Sequence, residues 1–151
     1  MKSILSGVKA ALQTADELGY IDENSAYITP NEALFFIDRP FPQLAIADGP
    51  TQYIIEDGEE IEKRPSIKVI IYQELKDDDQ SIMGNADPVV HGVLDIASDV
   101  HVVLFDNKLG VSVIETALPE EDGETELLVS DDITLLKKTI SYVYTKLEAN
   151  P

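Results

Sequence analysis

The sequence predicts an α+β fold, a mostly antiparallel sheet covered on one face by two helices, in a single domain spanning residues 1–151. Three observations lead there. Two segments repeat apolar residues at three- and four-residue spacing. Several others are short apolar runs, or alternate with period two, between Gly and Pro. The order is helix, several strands, helix, then two or three strands, without the strand–helix alternation of a parallel sheet.

The first helix is read from Ile4, Val8, Leu12, Ala15 and Leu18, with Ser3 as N-cap and Gly19 as its stop. Across residues 20–65, Pro30, Pro40, Pro42, Pro50 and Pro65 break every long element. Short apolar runs lie between them at Ala33–Ile37, Leu44–Ala47 and Tyr53–Glu56, with a turn signal at Asp48-Gly49-Pro50 between the last two and another at Asp57-Gly58 before Glu59–Lys63. Ser66–Leu75 is the clearest strand. Ile67, Val69 and Ile71 face one way and Lys68, Ile70 and Tyr72 the other, so both faces are partly apolar and the strand belongs in the middle of its sheet. Pro88–Leu109 is the second helix, with Asp87 as N-cap, Pro88 at the first position and a stripe of Val90, Val93, Leu94, Ala97, Val100 and Leu104 ending at Gly110. Val111–Glu115, Glu126–Ser130 and Lys138–Leu147 follow as strands. The last alternates Ile140, Tyr142 and Tyr144 against Ser141, Val143 and Thr145, and a helix from Ile133 to Leu147 competes with it.

Composition narrows the function. There is no cysteine, which removes disulfides, thiolate metal sites and a cysteine nucleophile. Eleven Lys and Arg against 29 Asp and Glu leave a net charge of −18. Such a chain lacks the basic face that grips phosphates, so specific nucleic-acid binding is not expected. No apolar run is long enough to span a membrane and no signal block opens the chain, which points to the cytoplasm. The acidic excess concentrates at Asp77-Asp78-Asp79 and at Glu120-Glu121-Asp122 with Glu124 and Glu126, which read as solvated loops.

No catalytic motif emerges, and an enzyme is not expected. His91, Asp95 and Asp99 follow one another at four-residue spacing, which reads as a polar ridge opposite the apolar stripe. His91 and His101, ten positions apart on one helix, would point about 80° apart. A calcium loop counted from Asp77 fails, because its sixth and twelfth positions hold Ile82 and Pro88. Glycine-rich phosphate loops and basic–aromatic interleaving are absent, so no cofactor is expected. Two segments stand out. Tyr20–Pro42 is rich in proline yet contains Leu34-Phe35-Phe36-Ile37. Gln73–Asp87 reads as a long polar loop with Ile82 and Met83 at its tip, an apolar docking element.

The order of elements adds a family likeness. The N-terminal helix is followed by Phe41-Pro42-Gln43-Leu44-Ala45-Ile46-Ala47-Asp48-Gly49, a strong strand at Ile67–Tyr72, a long polar loop, a helix over Val89–Leu104 and a Tyr-rich final strand at Ile140–Tyr144. This arrangement resembles the small tail-terminator and head–tail joining (minor tail) proteins of long-tailed bacteriophages. The resemblance implies a curved antiparallel sheet with helices on one side and a homo-oligomeric ring, commonly a hexamer. That ring caps the tail tube and meets the head connector, in the host cytoplasm and then in the virion tail. Under this reading Asp77, Asp78, Asp79, Ile82 and Met83 form an assembly or lumen loop, its carboxylates repelling DNA so that the duplex slides.

The charge equally fits a second reading, an acidic DNA mimic that blocks a nucleic-acid-binding protein. A carboxylate enzyme using a divalent cation is the third, and no pair of acids can be matched across elements from the sequence to support it.

Overall fold

The computed structural model describes residues 1–30, 35–55, 60–86, 89–129 and 133–149, with side chains throughout except at residues 60 and 147–149. Helix α1 (Lys2–Thr14) buries Ile4, Val8 and Leu12, as their spacing dictates. Its cap position is Met1 rather than Ser3. The extended backbone of Ala15 ends it, and a 3-10 turn at Asp16–Leu18 returns Leu18 to the core.

Strands β1 (Ala26–Ile28), β2 (Gln43–Ile55) and β3 (Glu60–Glu74) come next. After a short helix α2 (Asp78–Met83), a two-residue hairpin β4 (Asn85–Ala86) and β5 (Val89–Val90) leads into α3 (Val93–Leu104). Strands β6 (Ile114–Asp122), β7 (Glu126–Val129) and β8 (Thr134–Ala149) complete the fold. The main sheet has the order β1-β2-β3-β8-β6, with β7 sharing the outer edge of β8 with β6. Among the described residues, only β1 and β2 pair in parallel.

The α+β class and the largely antiparallel sheet are as expected, and β3 is central. Its Ile67, Val69 and Ile71 meet α1 and α3 in one core with Leu44, Ile46, Ile140, Tyr142 and Tyr144. Its Ile70 and Tyr72 join Tyr27, Ala45, Ala47 and Leu135 on the opposite face. That second face is partly covered by Phe35 and Phe41. The last segment is a strand and not a helix, because its inward Tyr and Ile side chains alternate.

Several expectations are corrected. Pro50 and Pro65 do not end strands. They flank one irregularity, where the β2–β3 register shifts between Asp48 and Thr51 and the β3–β8 pairing skips from Lys63 to Ser66. A proline needs no ladder hydrogen bond at a bulge. The Ser66 hydroxyl closes the break by donating to the Pro50 carbonyl at 2.6 Å. Asp48-Gly49-Pro50 is therefore a bulge inside a strand and not a turn. Phe35–Ile37 is not a strand, and neither are Val111 and Val113; the strand there starts at Ile114. Positive φ at Asp106, Leu109 and Gly110 winds the chain into turns first. α3 starts at Val93 instead of Pro88 and ends at Leu104, and its buried stripe includes Ile96 while Leu94 is exposed. Residues 33 and 34, the turn at Asp57-Gly58, and the Asp87-Pro88 helix start lie outside the described residues.

Beyond the bulge, β2, β3 and β8 outrun both helices. Thr51–Ile55 pairs with Ile61–Pro65, and Glu60–Lys63 pairs with Lys146–Ala149. This arm, which β6 flanks only where Ile114 pairs with Lys146, carries its outermost strand, β2, without a described partner, since β1 pairs only with Leu44–Ile46.

Candidate assembly surfaces

Asp77, Asp78 and Asp79 are not a loop. Asp77 is the N-cap of α2, its carboxylate accepting from the Gln80 backbone N–H at 3.1 Å, and Asp78 and Asp79 fill the exposed first turn. Carboxylates there face the positive end of the helix, which suits them without any metal. Ile82 is half-buried and Met83 is 70% exposed at the other end of α2. β3 begins in the arm and ends at Glu74, so α2 lies at the opposite end of the sheet from the arm. Among the described residues, no three His, Asp or Glu side chains gather as a metal site.

The ridge of His91, Asp95 and Asp99 takes a different form. His91 precedes α3, and its ring stacks on Tyr20 with centroids 3.6 Å apart. The Tyr20 hydroxyl donates to Asp99 at 2.7 Å. Burial, then the Asp99 hydrogen bond and charge, push the Tyr20 phenol far above its ordinary value. This cluster ties the turn after α1 to α3, and Asp99 already has its partner.

His101 faces the sheet from α3. Its Nε2 lies 2.8 and 2.9 Å from the two Asp122 carboxylate oxygens, and its Nδ1 lies 2.6 Å from the Tyr142 hydroxyl. A carboxylate only accepts, so Nε2 carries a proton and, in the neutral ring, the Tyr142 hydroxyl donates to Nδ1. The three side chains join α3, the central strand β8 and the edge strand β6. Tyr142 is fully buried, so no substrate reaches its oxygen and the set is a clamp and not a catalytic triad.

Outside the clamp runs an open groove of about 630 Å³, with Val102, Phe105 and Pro119 as its apolar part and Glu120, Glu121 and Asp122 as its acidic rim. Val102 and Phe105 are 63% and 58% exposed. The acidic residues here belong to the edge strand β6 and not to a loop. Charge on an edge strand blocks indiscriminate pairing.

The arm differs in chemistry. Tyr53 stands opposite Lys63, and Lys63 opposite Lys146, so all three share the helix-bearing side of the sheet. The Lys63 ammonium lies 5.6 Å from the Tyr53 ring centre. Tyr53 and Ile55 are both more than three-fifths exposed. β3 and β8 together hold six of the chain's eleven bases and only four of its 29 acids. The acidic excess thus belongs to the rest of the molecule.

The sequence reading missed both the groove and the arm. Alternation of Tyr53 and Ile55 past Pro50 was the available signal for the arm. His101, Asp122 and Tyr142 lie too far apart in sequence for any local signal. Among the described residues, no helix is long and apolar enough to cross a membrane. Comparison with protein-family models and with curated proteins finds no match for the chain.

Proposed function

We propose that this chain is a structural assembly protein of a bacteriophage or prophage tail, forming a homo-oligomeric ring at the tail end or head–tail junction. The observation that carries the reading is the arm. Three paired strands project past their covering helices, with an open β2 edge and the exposed apolar side chains Tyr53 and Ile55. An unpaired edge and an apolar tip are costly on a free subunit and useful on one that packs against others. α2 supports the same reading: Asp78 and Asp79 are exposed and suit a channel wall that DNA must slide past, and Met83 offers a contact for a neighbouring tail-tube or connector protein.

The test is mass in solution by size-exclusion chromatography with light scattering, over a range of concentrations and at two salt levels. The expected result is one discrete multi-subunit species. A monomer under every condition overturns the ring. A monomer that also captures a basic nucleic-acid-binding protein, with salt-sensitive affinity, puts the acidic DNA mimic in its place.

A further inference from the structure

We propose that the cavity between α1 and the segment leading into β2 binds a small oxyanion, a carboxylate or a phosphate, on Arg39 and Lys9. It shares no residue with the arm, the α3–β6 groove or α2.

The cavity measures about 320 Å³, and Lys9 and Gln13 of α1, Asn24, Tyr27 of β1, Phe36 and Arg39 form most of its wall. That is the small end of the range for ligand sites, roughly 300–1,000 Å³. Arg39 is fixed by three neighbours that line the same cavity. Its guanidinium carbon lies 3.7 Å from the Phe36 ring centre and 5.3 Å from that of Tyr27. One Nη donates to the Asn24 carbonyl at 3.0 Å. The rings are fixed in turn. They meet edge to face with centroids 4.8 Å apart, and the buried Gln43 accepts from the Tyr27 hydroxyl and the Phe36 N–H. On the α1 side, Gln13 donates to the Glu23 and Ala26 carbonyls and sets the helix against the start of β1. The wall is therefore in place before a ligand arrives, and a guanidinium already stacked on aromatic rings loses little freedom on binding.

The ligand chemistry follows from what these side chains leave unspent. A guanidinium has five N–H donors and accepts nothing. The Asn24 carbonyl takes one bond from Arg39. Among the described residues, no carboxylate pairs with Arg39 or with Lys9. Two cations without counter-ions on one concave surface suit an anion, and the guanidinium fork suits one that offers two oxygens together. The chain's net charge of −18 opposes any anion. Exposed charges more than about 8 Å away are largely screened at physiological salt, so the groups at the cavity decide. Among the described residues lining it, Glu23 is the one acid, and it is exposed where Lys9 and Arg39 are half-buried.

The experiment titrates the isotope-labelled full chain with sodium phosphate and, separately, with sodium succinate, at neutral pH and constant ionic strength. Sodium chloride serves as the blank, and nuclear magnetic resonance follows the backbone amides and the Arg39 Nε–H. The expected result is saturable shifts at Lys9, Gln13, Asn24 and Phe36–Arg39 with at least one of the two salts. Saturation by phosphate alone makes the ligand a phosphate, by succinate alone a carboxylate, and by both the chemistry they share. Arg39→Gln should weaken binding about tenfold or more, and Arg39→Lys should also weaken it, because charge is kept but the fork is lost. Lys9→Gln removes the second cation without touching the contacts of Arg39 and should weaken binding about threefold or more. Circular dichroism checks that each variant folds, and Lys9→Gln decides if an Arg39 variant does not. Shifts that stay linear and match the chloride blank with both salts overturn the site. So does an affinity that Arg39→Gln and Lys9→Gln leave unchanged.

Discussion

The Tyr142 hydroxyl on β8 lies 2.6 Å from Nδ1 of His101 on α3, and the opposite ring nitrogen of that histidine holds Asp122 on β6. Burial, and then the Asp122 carboxylate, push the Tyr142 phenol up to about 12. The folded value is above the ordinary one of about 10, so the folded chain holds this proton more tightly than the unfolded chain. The resulting stability is fully present below about pH 10 and is lost as the pH rises through about 12. Urea melts at pH 8, 10 and 11 should show stability falling only across the last interval. Tyr142→Phe should reduce that fall without abolishing it, because burial also raises the Tyr20, Tyr27 and Tyr144 phenols.

Replacing the histidine tests the clamp at neutral pH. His101→Ala leaves the fully buried Tyr142 hydroxyl without its partner and frees the end of β6. The expected loss is about 1–3 kcal/mol, the penalty for stranding a buried polar group. Urea denaturation measures it, and amide exchange along Glu120–Asp122 should quicken.

Tyr144 is the counter-example. It is fully buried two residues along the same strand, yet its hydroxyl has no hydrogen-bond partner among the described residues. Tyr144→Phe removes an unsatisfied oxygen and keeps the ring that fills the core. The variant should be as stable as wild type or more stable, by up to about 1–2 kcal/mol. A loss comparable to that of His101→Ala in the same assay would contradict this.

Gln43 holds the segment between β1 and β2. Its amide nitrogen donates to the carbonyls of Phe36 and Arg39, and its amide oxygen accepts from the Phe36 N–H and the Tyr27 hydroxyl. Gln43→Leu fits the volume but abandons four hydrogen bonds. The expected cost is about 2–4 kcal/mol, because single buried groups left unpaired cost about 1–3 kcal/mol each and partly relax. Limited proteolysis should then cut within residues 35–42 sooner than in wild type.

Gly92 sits before α3 where a Cβ would run into the backbone of Gly84 and Ile82. Backbone cannot swing away as a side-chain tip does, so Gly92→Ala should push α2 off α3 at about 1–3 kcal/mol. A melting temperature unchanged from wild type would count against that packing.

Much of the scaffold was legible locally. α1 and the alternation of β3 and β8 follow from apolar spacing, and both apolar faces of Ile67–Tyr72 marked β3 as central. Misreadings came where one local signal serves two geometries. Asp48-Gly49-Pro50 suits a turn or a bulge, and only the partner strand chose the bulge. α2 is six residues long, too short for periodicity to speak, so its capping aspartates read as a charged loop. The groove and the clamp were illegible for a different reason. His101 and Tyr142 are separated by 41 positions, and nothing near either announces the other.

The position of β8 has a consequence for biosynthesis. The last of the described strands lies inside the sheet, with β3 on one side and β6 and β7 on the other. While a ribosome is still making residues 134–149, β3 and β6 have no strand between them, and the core lacks Ile140, Tyr142 and Tyr144. The nascent chain therefore holds three helices, the β2–β3 pair and unfilled strand edges, and closes its sheet late, by contacts between segments far apart in sequence. A pause in translation before Thr134 would leave a sticky half-sheet, exposed to other nascent copies on the same message.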